Sequence, residues 1–355
     1  MSIEYGIKSI EFIKGEVSKL DVFESLNLGS ALGEALKNGR AGVGFADDSK
    51  SKANAMAIMS ALSSKNINVW NFKNVFLSEL SYLTYFSCLS ASIFVDSKRG
   101  ALIVLGQDGI NVNKSLKNKI EENLNSQIKS ISEYSNIFDM TPLNGLYYKA
   151  LKRELDFETD FNCTVKSSNP KIELLLTDLL GQSRDESLIL RVNKFGTGVS
   201  AYTKETGLVP FSRLLLICDS WESEHKNIYA KSSESISSNT IYKNDGLFMS
   251  AKILHILKSE NINFSALNKA IPEYYVKRRV VNVEMNKDLC KKFKNSGYQV
   301  NYENENIIRL KEGSAAASIL PLYGGKTGVL TQSLSSQDAK KLGDDIEKIL
   351  QIGYF

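Results

Sequence analysis

Between residues 27 and 131, apolar runs of strand length alternate with helical patterns, and this alternation limits the fold more than any other feature. Ser30–Lys37 has helical spacing and meets a stop at Asn38-Gly39. Ala41–Phe45 suits a short buried strand, and Lys52–Leu62, rich in Ala, Met and Leu, reads as a second helix. A strand follows at Ile67–Phe72, a helix at Phe76–Phe86 and a strand at Ala91–Val95. After them come an apolar run at Ala101–Leu105, a turn at Gly106–Gly109 and a polar helix at Lys114–Ile131. Strands that take turns with helices predict an α/β layer with a largely parallel sheet.

The rest of the chain is less regular. Asp156–Pro170 is polar and reads as an inter-domain passage, and Lys171–Leu180 as a short helix or strand. Leu214–Cys218 is an apolar run of strand length. Ser187–Val192 and Val199–Thr203 predict a β-hairpin with Asn193–Gly198 as its turn. Lys231–Asn239 is a Ser-rich loop, and Asp245–Ser259 an amphipathic helix. The last stretch predicts an α+β unit of about eighty residues. Its parts are a strand at Arg278–Glu284, a helix at Asn286–Gly297, strands at Ile307–Leu310 and Ala315–Leu322, and a helix at Ser336–Ile352. Gly324–Gly328 reads as a turn, and Lys277-Arg278-Arg279 as a solvated strand edge.

Composition removes several function classes. With 44 Lys+Arg against 40 Asp+Glu, the net charge of +4 gives no reason to expect a nucleic-acid partner. A chain that is 43% hydrophobic has enough apolar surface to fold. The four cysteines form no CxxC pair and read as buried, reduced thiols. Two histidines, His225 and His255, leave no arguable catalytic triad and little scope for His-rich metal chemistry. No apolar run reaches the roughly 18–20 residues that span a bilayer, and Met1–Tyr5 does not open like a signal peptide. The expected compartment is the cytoplasm, with no membrane partner.

The order of the elements resembles the α-D-phosphohexomutase superfamily, which includes phosphomannomutase and phosphoglucomutase. Phe12-Ile-Lys-Gly-Glu-Val17 sits where that family has a GIRG-type loop, with Lys14 for the arginine. Val43-Gly-Phe-Ala-Asp-Asp-Ser-Lys50 follows the pattern VG-x-D-x-R. Gly100–Gly109 resembles the family's NGIKVxGPDG segment, and Asn244-Asp245-Gly246-Leu247 its DG-helix start. The resemblance implies an α/β fold of mixed sheets flanked by helices, with a C-terminal α+β domain. It divides the chain into a first domain at 1–145, a truncated second at 146–184, a reduced third at 185–272 and a fourth at 273–355.

The departures bear on function. The family's phosphoserine loop corresponds to Val95–Gly100, where Ser97 is the one candidate phosphoserine and Lys98 and Arg99 could balance a phosphate. The competing reading is an ordinary surface turn. The family's metal loop, DGDxDR, puts its three aspartates on Lys194, Gly196 and Gly198, none of which brings an oxygen side chain. Of the sugar-recognition loop GExSGH only Glu234 survives as a candidate sugar ligand. The phosphate loop RPSGTEP becomes Lys311-Glu-Gly-Ser-Ala-Ala-Ala317, which leaves Lys311, Gly313 and Ser314 for a small anion site. Phosphoryl transfer depends on neutralising charge, so these losses predict a relative without metal-dependent turnover. Such a relative would keep a binding, regulatory or scaffold role and need no cofactor. The alternative is a divergent, active phosphohexomutase that uses Ser97 and Mg²⁺ held by Asp47, Asp48 or Asp96. A phosphosugar or other small anion is the expected ligand. A second copy of the chain is the expected cover for sheet faces that the shortened middle exposes.

Overall fold

The computed structural model describes residues 4–6, 12–14, 21–37, 39–109, 112, 114–124, 134–155, 163–180, 187–229, 244–270, 275–283, 289–304, 307–313, 315–322 and 326–351. The chain forms two compact units, Met1–Ile271 and Pro272–Phe355.

The first unit opens with β1 (Glu4–Gly6), β2 (Phe12–Lys14), α1 (Val22–Leu36), β3 (Arg40–Phe45), α2 (Ser49–Ser63) and β4 (Asn68–Asn74). Next come α3 (Leu77–Phe86), β5 (Ala91–Asp96), β6 (Ala101–Gly106), α4 (Lys114–Leu124), β7 (Ile137–Asp139) and α5 (Gly145–Leu155). β8 (Thr164–Ser167), α6 (Pro170–Leu180), β9 (Ile189–Val192), β10 (Val199–Thr203), β11 (Gly207–Val209), α7 (Phe211–Tyr229), α8 (Gly246–Ser259) and α9 (Phe264–Ala270) complete it.

Seven strands make the first sheet in the order β1-β2-β6-β5-β3-β4-β7. β5, β3, β4 and β7 run parallel, and β6, β2 and β1 extend the sheet antiparallel. Alternation along the strands feeds two cores. Ile93, Val95, Leu102 and Val104 pack with Leu28, Leu32, Ile58 and Leu62 of α1 and α2. Phe94, Ile103 and Leu105 point the other way and join Leu80 and Leu83 of α3. That second core continues through Tyr147 and Leu151 of α5 to Leu190, Ala201, Leu214, Ile217, Leu247 and Ile253. It therefore also packs the small sheet β11-β10-β9-β8, in which β9 and β10 pair with Val192 opposite Val199.

The second unit comprises β12 (Tyr275–Val281), α10 (Leu289–Asn295), β13 (Gln299–Asn304), β14 (Ile307–Glu312), β15 (Ala315–Leu322), β16 (Lys326–Ser333) and α11 (Ser336–Gln351). Its sheet, β12-β16-β15-β14-β13, is antiparallel throughout. Ile308, Leu310, Ala317, Ile319 and Val329 bury one face against Phe293, Leu342, Ile346 and Leu350.

Several sequence expectations need correction. The first helix starts at Val22, eight residues before the apolar pattern suggests, because the Asp21 carboxylate accepts from Glu24 N at 2.9 Å and caps it. It ends on Lys37 in a left-handed conformation (φ 43°), ahead of Asn38-Gly39. Leu214–Cys218 lies inside α7, since five apolar residues in a row fit a buried helix as well as a strand. α8 is not amphipathic: Gly246 to Leu254 is buried without interruption. The passage at 156–170 contains β8. Lys326-Thr327-Gly328 opens a strand where a turn was expected. Cys163, Cys218 and Cys290 are buried thiols, but Cys88 is exposed. Residues 125–131 of the expected polar helix and the Ser-rich loop Lys231–Asn239 lie outside the described residues.

Candidate functional site

Ser97 follows β5 directly, in a single 3-10 turn over Ser97–Arg99. It is not a surface residue, being 2% exposed. Asn54 Nδ2, from the middle of α2, donates to Ser97 Oγ at 2.8 Å. The Ser97 N–H donates to Ser51 Oγ at 2.7 Å, and Ser51 Oγ donates onward to Asp48 Oδ2. Asp48 also caps α2 by accepting from Ser51 N at 2.9 Å. The local sequence Asp48-x-x-Ser51-x-x-Asn54 thus sets one helix face against the turn. The oxygen that a phosphoryl group would have to occupy is thus buried and already accepts a hydrogen bond. Lys98 is exposed. The side chains of Lys14 and Arg99 are outside the described set.

The turn that carries Lys194, Gly196 and Gly198 is bonded internally and on three sides. Asn193 Oδ1 accepts from the N–H groups of Phe195 and Thr197, each at 3.1 Å. Gly196 N donates to Asn193 O at 3.0 Å, and Asn193 N to Gly198 O at 2.8 Å. Asn169 Nδ2 donates to Lys194 O at 3.0 Å. The first turn of α3 supplies Ser78 N to Phe195 O at 3.2 Å, and the first residue of α8 supplies Gly246 N to Gly196 O at 2.6 Å. Lys194 is exposed, with its ammonium 4.9 Å from the Phe195 ring. That ring meets Phe94 of β5 edge-on at 6.3 Å.

Beneath the turn lies a buried polar cluster, of which the sequence reading singles out only Asp245, as the start of a helix. Asp245 caps α8, accepting from Leu247 N at 2.8 Å and Phe248 N at 3.1 Å. Tyr147 Oη, from α5, donates to Asp245 Oδ2 at 2.7 Å and lies 3.4 Å from Ser78 Oγ. Burial pushes the Asp245 carboxyl up to about 7, against the pull of Tyr147 and the two backbone N–H groups. The Tyr147 phenol is driven well above its ordinary range by burial and by the neighbouring carboxylate. Glu79 is raised by burial and held back by Lys171, whose ammonium sits 2.7 Å from it. Lys171 also donates to Asn74 O at 2.7 Å. Asp245 fits the N-cap rule and was open to discovery from sequence. Tyr147 and Ser78 meet it, and Lys171 meets Glu79, only through tertiary packing, for which no local pattern exists.

The remaining expected residues do not extend this site. Lys311 is exposed on β14, and Gly313 forms a hairpin tip (φ 57°) in the second unit. Ser314 and Glu234 fall outside the described residues. Asp48, offered as a substitute cation ligand, is engaged in capping, and Asp96 is buried. Among the described residues no three His, Cys, Asp or Glu side chains gather as a metal site, and no helix is long and apolar enough to cross a membrane. The resemblance read from the sequence implies a divalent cation, with ligand slots at Lys194, Gly196 and Gly198. The residues at its slots do not fit one, because they bring no carboxylate and their carbonyl oxygens already face N–H donors.

No protein-family model and no curated protein matches the sequence. Solved structures do match the fold. A Thermus thermophilus chain assigned as a phosphomannomutase superposes with a TM-score of 0.63 at 11% identity, over 99% of this chain and 100% of that one. A phosphoglucomutase/phosphomannomutase family protein from Burkholderia thailandensis gives 0.65 at 12% identity, over 96% of both. The open form of parafusin, a phosphoglucomutase from Paramecium, gives 0.58 at 10% identity, over 99% of this chain and 96% of that one. The chain has the phosphomannomutase/phosphoglucomutase fold from end to end.

Proposed function

We propose that this chain is a phosphohexomutase-like protein that has lost metal-dependent turnover and keeps a binding, regulatory or scaffold role. The observation that carries the reading is the turn at Lys194, Gly196 and Gly198. It has no carboxylate to offer a cation, and its carbonyl groups accept hydrogen bonds from α3, α8 and Asn169. Phosphoryl transfer without a cation leaves the developing charge to basic groups alone. The burial of Ser97 under Asn54 weighs against the alternative of a divergent mutase that phosphorylates this serine. Under the proposal the segments 1–145, 146–184, 185–272 and 273–355 correspond to the four domains of the mutase plan. Any phosphosugar or small anion would be held by groups such as Lys311 and Gly313. A cytoplasmic homodimer is the working form, and the free thiols support that compartment.

The test is a coupled assay for exchange between hexose 1-phosphate and hexose 6-phosphate, with a hexose 1,6-bisphosphate primer. No turnover above background is expected with or without Mg²⁺. Turnover that depends on Mg²⁺, or phosphate on Ser97 in intact-mass spectra that disappears in Ser97→Ala, would establish the alternative.

A further inference from the structure

We infer that the turn at residues 193–198 is a cation-independent joint, in which the N-termini of α3 and α8 close the slots where the fold would carry a metal. The inference rests on the slot assignment of the proposed function but makes a separate claim: the site has been rebuilt as packing, and is more than an emptied ligand set.

Backbone chemistry is the first support. An oxygen-binding cation needs several carbonyl or carboxylate oxygens turned toward one point. Here the carbonyls of Asn193, Lys194, Phe195, Gly196 and Gly198 each accept an N–H, from five different donors. Two of those donors belong to first turns of helices, whose N–H groups lack intrahelical partners and carry the positive end of the helix dipole. Each helix end therefore satisfies one of its unpaired donors by docking on the turn. Positive helix ends on both sides also make the place unfavourable for a cation.

Steric fit is the second support. Gly196 has φ +80°, and a Cβ there would overlap Ser78 Oγ while lying 3.0 Å from the Phe76 ring. A Cβ on Gly246 would lie 2.5 Å from the carbonyl carbon and oxygen of Gly198. The close approach of α8 to the turn thus requires glycine on the helix side, and α3 requires it at Gly196. Position 196, one of the slots where the fold's metal plan calls for aspartate, has no room for a side chain while Ser78, Phe76 and Leu247 keep their places. Below the turn, Ser78, Tyr147 and Asp245 continue the same contact in hydrogen bonds. The joint ties β9 and β10 to α3 of the first sheet and to α8 at one point.

Magnesium chloride on the wild-type chain tests this, with sodium chloride of equal ionic strength and EDTA as controls. The expected result is a melting temperature that changes by less than about 1 °C between Mg²⁺ and EDTA, since a ligand that does not bind the native state cannot stabilise it. Amide exchange of Ser78 and Gly246 should be slow and equal in both buffers. The variant Lys194→Asp/Gly196→Asp/Gly198→Asp should melt lower and gain nothing from Mg²⁺. A Mg²⁺-specific rise in melting temperature of the wild type, or fast exchange at Ser78 and Gly246, would overturn the joint. Either result without mutase turnover would leave the proposed function standing. Turnover with Mg²⁺ would remove the proposed function itself.

Discussion

At the scale of single residues, Gly196 and Gly207 make a controlled comparison. Both hold positive φ, +80° and +64°, so alanine strains the backbone at either site. Nothing lies within 4 Å of a Cβ at Gly207, whereas at Gly196 it overlaps Ser78. Gly207→Ala should cost about 1 kcal/mol, and Gly196→Ala at least about 2 kcal/mol more, because the clash adds to the strain. Equal losses in urea denaturation would mean that Ser78 moves aside freely. Asp245 gives a pH signature. Its folded pKa of about 7 lies above the ordinary 3.8, so the folded state holds the proton more tightly than the unfolded chain does. Stability from this group is complete below the unfolded pKa and is lost as pH rises through the folded one. Between about pH 5 and 8 the wild type should lose about 2–3 kcal/mol through this group. Asp245→Asn removes the titration and should flatten the curve by that amount. Glu79, raised by burial, is present in both proteins and drops out of the difference. Parallel stability curves for the two would refute the assignment.

Among elements, α5 and α8 meet in a large apolar core, coupled by the hydrogen bond from Tyr147 to Asp245 and by the ion pair of Lys252 with Glu154 at 3.7 Å. Tyr147 Oη is the donor that reaches across to the Asp245 cap. Tyr147→Phe leaves the ring packed on Phe76, Tyr82 and Phe248 but removes the donor. A buried acceptor without its partner costs roughly 1–3 kcal/mol. The phenol also holds the Asp245 pKa down, so its loss should move the pH window of instability upward, which simple loss of packing would not do. How far such features are legible in sequence depends on their range. The β9–β10 hairpin was readable because apolar alternation on both sides of Asn193–Gly198 fixes register locally. The Asp245 cap was readable from its place before an apolar run. α7 was not, because Leu214–Cys218 presents five apolar residues in a row and hides the helical period. α8 was misread as amphipathic because Ser250 and Lys252 are polar in sequence yet buried in the fold, Ser250 bonding back to Gly246 O at 2.6 Å. The joint at Gly196 was read only as a missing metal, since the approach of Ser78 and Gly246 is a tertiary fact.

For the whole molecule, the division at Ile271 and Pro272 has a consequence for folding. Pro272–Phe355 owns a core of Val281, Phe293, Ile308, Leu310, Ile319, Val329, Leu342 and Ile346, built entirely from its own strands and helices. Its sheet is antiparallel, with β14, β15 and β16 following one another in sequence and in space, so most contacts form between near neighbours in the chain. Arg279 fastens α11 to the edge strand β12 through Asp344 at 2.5 Å and Glu347 at 2.8 Å. These pairs are partly exposed and contribute less than about 1 kcal/mol each, so the core must do most of the stabilising. A unit of roughly eighty residues with such a core lies within the range that folds alone. Residues 272–355 expressed by themselves should therefore unfold in one cooperative thermal transition and show mixed helix and strand in circular dichroism. Phe293→Ala should lower that transition steeply, by about 3–5 kcal/mol, because its ring is fully buried. Arg279→Met should lower it only slightly. A non-cooperative melt of the isolated piece, or equal effects of the two substitutions, would show that this core depends on residues before Pro272.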